Sequence, residues 1–465
     1  MRKFKLARQN LRKNHFPKSH LHRSFFRSIM KQKIFIGFIF SLLLSISVLS
    51  QSNLPTPTPT RQRVVVSNPT PYPTVQPTST PSKVVVVTDN LPKPTPTPLI
   101  RSTPIPVTLP TPTPQIQIIT PTIPVTSFRF TEIKSKISEA KREMSQRPIP
   151  TAMTNSFLLT DVVRLAFYDY DAKQIDYLVL TKDAFLKRGA TYSLSTTYGK
   201  TVNVTIIRAN GVNTPVMVTS QNNKSYLPLI AQYPVVRNGK FIETAYYIST
   251  HPGIVTPEVV TTGKLYMKNQ LDSAREKLRE RGVYISPLVT DIAERLAIVE
   301  HIDPARFWKE NQLQLFNEVY ALYALNEGQT YRYAVSSAGA GGMVQMIPST
   351  YRMVRNRYPQ IPLMLDFVTG MQNHPNAAQA MLLYMQMTWD DLIVSPTITE
   401  AILNNVATPA ELLCAGYNSN PAKLPGYIKR GGTNWRNLIP RETQTYLQVN
   451  TSMNRYVPIN TPRTK

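Results

Sequence analysis

Acidic residues are almost missing from the first quarter of this 465-residue chain, and cysteine from nearly all of it. The single cysteine, Cys414, excludes an intrachain disulfide and any cysteine-based metal spacing. The six histidines are scattered, with His15, His20 and His22 together in the basic tail, so the sequence offers no metal site and implies no cofactor. Residues 1–131 hold seventeen Lys/Arg against one acid, Asp89, whereas the remainder holds 36 basic and 26 acidic residues. The formal charge of +26 is therefore mainly a property of a tail. With no aromatic interleaving and no binding module in that tail, nucleic acid is not an expected partner. Glycine is absent from residues 51–125, which excludes a flexible Gly/Ser linker there.

What the N-terminus does contain is an export pattern. Eleven Lys/Arg and no acid in residues 1–33 precede an apolar run of seventeen residues, Ile34 to Ser50. A positive flank before such a run holds the N-terminus in the cytoplasm and sends the following chain across the membrane. Val48-Leu49-Ser50 offers a cleavage site, and an uncleaved anchor in the inner membrane fits equally. Either way the rest of the chain is expected on the far side of that membrane. Residues 51–125 then form a Pro/Thr tract, as in Leu54-Pro-Thr-Pro-Thr-Pro-Thr60. Such composition favours extended polyproline II and prevents a packed core, reaching roughly 200 Å when fully stretched.

Beyond the tract the period changes. A short helix is expected over Thr131–Ser145, followed by strands at Ile175–Leu180, Val202–Ile207 and Val216–Thr219. Asn210-Gly211 and Asn238-Gly239 each suit a type I′ hairpin. Residues 126–263 therefore read as a small antiparallel β domain, whose role as spacer, wall-binding module or partner surface stays open. Residues 264–465 read as α-helical, beginning with the charged helix Leu271–Arg281. The fold class is multidomain: basic tail (1–33), membrane or signal segment (34–50), linker (51–125), β domain and helical domain.

The chemistry concentrates between Asn326 and Pro348. Asp303-Pro304 starts a helix, Leu315, Val319, Leu322 and Leu325 give an apolar stripe, Gly328 suits a helix end, and the stretch fits one helix or two short ones. Glu327 then falls in the last turn, at the negative end of the helix dipole and beside an apolar face. Both effects disfavour a carboxylate, and a carboxyl kept protonated is what a glycosidic oxygen needs from a general acid.

Glu327 is followed without a gap by Ala334-Val335-Ser336, Gly339-Ala340 and Gly342-Met343-Val344-Gln345, ahead of Ile347-Pro348. Two further elements are Gly416-Tyr417-Asn418-Ser419-Asn420-Pro421 and Glu442-Thr443 with Tyr446. Together these resemble the signature of the soluble-lytic-transglycosylase family, in which a catalytic Glu precedes Ala-Val-Ser, Gly-Ala and Gly-Leu-Met-Gln. The resemblance implies a lysozyme-like helical domain in the bacterial cell envelope, facing the wall, that cleaves peptidoglycan glycan strands between N-acetylmuramic acid and N-acetylglucosamine. It makes Glu327 the single acid, then base. Ser336 and Gln345 would bind sugar substituents, Tyr417 would aim its hydroxyl at Glu327 or the substrate N-acetyl group, Asn418 would support the turn, and Glu442 would contact the sugar from the far wall. Gly328, Thr330, Val344 and Ile347 depart from the family pattern, and the stretch from Asp303 to Glu327 is longer than typical. A second acid for a hydrolytic mechanism would have to come from Asp366, Asp390, Asp391 or Glu442. A lysozyme-type hydrolase and a non-catalytic wall-binding protein are the alternative readings.

Overall fold

The structure, a computed structural model, describes residues 128–147 and 159–464, all within one compact unit spanning Pro110–Lys465. The basic tail, the apolar segment and the Pro/Thr tract lie outside the described residues. No helix among the described residues is long and apolar enough to cross a membrane.

The chain opens with helix α1 (Phe130–Gln146), which buries Ile133, Ile137, Ala140 and Met144 at helical spacing. Seven antiparallel strands follow: β1 (Val162–Asp169), β2 (Gln174–Thr181), β3 (Thr191–Ser195), β4 (Thr201–Ile206), β5 (Val216–Ser220), β6 (Ser225–Arg237) and β7 (Lys240–Tyr247). Their order is β2-β1-β6-β5-β4-β3, with β7 also paired to β6. The sheet curls, so that the Thr197 amide, just past β3, donates to the Tyr177 carbonyl of β2. Alternate residues of β1 serve two cores. Val163, Leu165 and Phe167 join the inside of the curl, whereas Ala166 and Tyr168 face α1.

Asn238-Gly239 behaves as its sequence predicts: both residues take positive φ (50° and 72°) between β6 and β7, with Arg237 paired to Lys240. Asn210-Gly211 does not. Asn210 keeps φ at −155° and Gly211 enters a short 3-10 turn, so residues 207–215 form a wider loop between β4 and β5. Thr214 holds it, its hydroxyl accepting from the Asn210 amide and donating to the Gly211 carbonyl.

The helical part begins at Pro257, earlier than composition suggests. Helices α2 (Pro257–Glu280), α3 (Pro287–Val299), α4 (Gln312–Asn326), α5 (Pro348–Arg357), α6 (His374–Ile393), α7 (Pro396–Leu403), α8 (Pro409–Asn418), α9 (Leu424–Gly431) and α10 (Arg441–Tyr456) follow. Prolines start helices here instead of breaking them: Thr256-Pro257, Ser286-Pro287 and Thr408-Pro409 each pair a capping hydroxyl with proline at the first turn. Asp303-Pro304 does the same for a one-turn helix (Pro304–Phe307), which is separate from α4, itself capped by Asn311. At Gly263, α2 meets α4 so closely that an added Cβ would sit 1.9 Å from the Tyr320 carbonyl oxygen. The sheet and the helices share a core: Ala321, Ala324 and Leu325 of α4 pack with α1 and the outer face of β1 and β6.

Candidate functional site

Ser336, Gln345, Tyr417, Asn418 and Glu442 converge on one cleft of about 790 Å³, a size suited to a saccharide or other organic ligand. Glu327 is not in it. The carboxyl that these residues surround is Glu300, the residue immediately after α3.

The local sequence explains why Glu300 sits where it does. Helix α3 ends in an unbroken apolar run, burying Leu296, Ala297, Ile298 and Val299, so its last turn is driven into the core and carries Glu300 with it. The side chain stays partly open to the cleft. Its Oε1 accepts a 2.5 Å hydrogen bond from the Tyr446 hydroxyl, the tyrosine of the Glu442-Thr443 element on α10. Burial pushes the Glu300 carboxyl up to about 8, the negative charge of Glu442 adds to the rise, and the Tyr446 hydrogen bond opposes it.

The next residue is pinned. The His301 ring stacks on Tyr331 (3.3 Å between centroids, 2° between planes) and its Nε2 lies 2.9 Å from the Met343 carbonyl. Burial lowers His301 to about 3, so it is neutral and Nε2–H donates to that carbonyl. This ties the end of α3 to the turn that holds Gln345.

Gln345 follows a short 3-10 turn (Gly342–Val344) and adopts left-handed φ/ψ of 47° and 38°, unusual for a residue with a side chain. Such a conformation costs on the order of 1 kcal/mol and persists where surroundings enforce it. Its Nε2 donates to the Gly342 carbonyl at 2.8 Å, and Gly341 bridges to both Val335 and Met346. Gly342 itself is forced: a Cβ there would lie 2.1 Å from the Met371 carbonyl oxygen. Ser336 is exposed on the facing turn, its Oγ accepting from the Ala340 amide.

Tyr417 does not point its hydroxyl at a catalytic carboxyl. It donates to the Val344 carbonyl at 2.7 Å and so braces the Gln345 turn from α8. Asn418 links α8 to α10 by accepting from the Thr443 hydroxyl at 2.8 Å. Glu442 is exposed at the cleft rim, where Asp391 also opens. Of the other acids considered from sequence, Asp366 caps the short helix Phe367–Gln372 and Asp390 accepts from Gln386. Cys414 is buried one turn before Tyr417, and Trp435 is fully buried, donating to the Val406 carbonyl.

Glu327 does follow α4 at its C-terminal cap, as its sequence predicts. The apolar wall expected beside it is missing. Its side chain is 57 % exposed and forms a 2.5 Å ion pair with Lys134 of α1. The segment after it is fixed by a structural relay: Gly328 N–H donates to the Tyr266 hydroxyl, which meets His374 Nδ1, while His374 Nε2 binds the Thr330 carbonyl. Buried Thr330 adds a bond to the Leu322 carbonyl, which accounts for a small hydroxyl residue there.

Sequence reasoning passed over Glu300, because an acid was sought at a fixed distance before Ala334-Val335-Ser336. The signal that could have found it is an acid directly after an unbroken apolar turn, Leu296, Ala297, Ile298 and Val299, since a charge there has no solvated side of its own turn to share.

No family model, no curated protein and no solved structure matches the chain. No cluster of His, Cys, Asp or Glu suited to a metal ion occurs among the described residues.

Proposed function

We propose that this protein cleaves the glycan strands of peptidoglycan as a lytic transglycosylase with a lysozyme-like helical domain, and that Glu300, not Glu327, is its acid and base. The observation that carries the reading is the coincidence in one cleft of a carboxyl held at about 8 with residues from all three sequence elements.

The chemistry follows from that carboxyl. Protonated at neutral pH, Glu300 gives its proton to the oxygen between N-acetylmuramic acid and N-acetylglucosamine as that bond breaks, while the substrate's own N-acetyl group stabilises C1. The Glu300 carboxylate, now held by the Tyr446 hydroxyl, accepts the proton of the muramic acid C6 hydroxyl as that oxygen closes on C1. The product is a 1,6-anhydro end, with no water consumed and Glu300 restored. Ser336 and Gln345 bind sugar substituents beside it. In this reading the N-terminal segment carries the enzyme across the inner membrane and the Pro/Thr tract lets it reach the wall.

Hydrolysis is the second reading, favoured by Glu442 and Asp391 opening on the same cleft, where either could activate water. The decisive experiment digests purified peptidoglycan with the full-length chain and with Glu300→Gln and Glu327→Gln, reading products by mass spectrometry. The transglycosylase reading expects anhydro-muropeptides from the wild type and Glu327→Gln, and none from Glu300→Gln. Reducing ends in place of anhydro ends would establish the hydrolase. A silent Glu327→Gln beside an active Glu300→Gln would return the acid/base to Glu327.

A further inference from the structure

The cleft does not stop at Glu300. A second hollow of about 590 Å³ begins at the same Glu300, Ser336 and Gln345 and runs the other way, onto the sheet. Its walls are Asn210–Asn213 of the β4–β5 loop, Tyr233, Val235 and Val236 of β6, and Tyr333. Glu300, Ser336 and Gln345 therefore line both hollows, the two arms of a groove, one on the helices and one on the sheet.

The two arms differ in charge. The helical arm is lined by the carboxyls of Glu300, Asp391 and Glu442 and by no lysine or arginine. The sheet arm is lined by one cation, Lys182, just after β2. Its acids are the shared Glu300 and Asp303, and Asp303 is occupied in capping the turn at Ala305 and Arg306. Lys182 lies over the Tyr233 ring at 4.9 Å and donates to the Pro234 carbonyl at 3.2 Å, and no acid pairs with it among the described residues. A lysine held over an aromatic wall in a groove, with no counter-ion, is arranged to receive one.

The geometry points to the sheet as half of the substrate site, with Lys182 binding a carboxylate of the strand on that arm. Intact peptidoglycan supplies carboxylates from its stem peptides. Chitooligosaccharides have the same N-acetylated sugars and none of these charges. The inference rests on the glycan-cleaving reading above, and it gives the β region a role in choosing anionic, peptide-bearing strands over neutral ones.

The test measures binding by titration calorimetry at low salt, using full-length protein carrying Glu300→Gln to prevent turnover. The probes are soluble peptide-bearing peptidoglycan strands and chitohexaose. Lys182→Met should lower the preference for the charged strands over chitohexaose about 5-fold, and Lys182→Arg should retain it. High salt should erase the same preference in the Lys182 protein. Equal losses for both ligands would mean that Lys182 only braces Pro234, and an unchanged preference would mean that it meets no substrate charge; either overturns the inference. A Lys182 protein that binds neither probe would instead sink the glycan reading itself.

Discussion

Glu300→Gln should stabilise the protein while silencing it, and the stabilisation should grow with pH. The usual carboxyl value is 4.5, and in the folded chain Glu300 stands at about 8. An acid raised in this way binds more protons folded than unfolded. Its favourable contribution is therefore fully present below 4.5 and is lost as pH rises through about 8. At pH 7 the unfolded chain has ionised this group and the folded chain largely has not. The linkage then amounts to about 3 kcal/mol as an upper bound, at about 1.4 kcal/mol per pH unit. Because the carboxyl opens to the cleft, roughly 1–3 kcal/mol is the figure to expect. Glutamine keeps the shape and still accepts from Tyr446, so little is lost in exchange. Thermal unfolding of both full-length proteins should show no difference near pH 4.5, and a gain of a few degrees for the variant at pH 7 and above. The same preparations should differ by at least about 100-fold in release of soluble glycan. A stability difference that does not change with pH, or a variant less stable at pH 8, would refute the claim that burial holds this carboxyl protonated.

Two further expectations follow from the same geometry. Tyr446→Phe removes the hydrogen bond that lowers Glu300, so the alkaline limb of kcat/KM, near 8 in the wild type, should move up by about one pH unit; a limb that stays in place would detach Tyr446 from the titrating group. Gly263→Ala should cost about 3 kcal/mol in chemical denaturation, because the new methyl meets the backbone oxygen of Tyr320 and α2 must part from α4; an unchanged denaturation midpoint would contradict that close approach.

Much of the fold is written locally in the chain. Apolar alternation gives β2, β4 and β5, Asn238-Gly239 gives its hairpin, and capping residues followed by proline give the helix starts. What is not legible depends on partners. Strand β6 contains Pro228 and Pro234, each a reason to doubt a strand, yet Pro228 lies beside a register shift in β1 and Pro234 pairs with Thr244 beyond the last β1 partner. Asn210-Gly211 has hairpin chemistry, but Thr214 captures the turn into a wider loop.

The site divides along the same line. Ser336, Gln345, Tyr417, Asn418 and Glu442 were named from three short sequence elements, and all five line one cleft. Glu300, the acid we propose, was not named, because its position is set by the end of α3 while residues 301–333, including α4, intervene before the Ser336 turn. Those residues leave and return: His301 binds Met343 and stacks on Tyr331, closing the excursion at its base so that Glu300 and Gln345 stay in one cleft. Spacing along a chain measures contour, and contour stops predicting distance once an excursion is tied off in this way. Glu327 kept the spacing and lost the burial; Glu300 lost the spacing and kept the burial. Proton transfer depends on the second property, which is why the chemistry is assigned to Glu300.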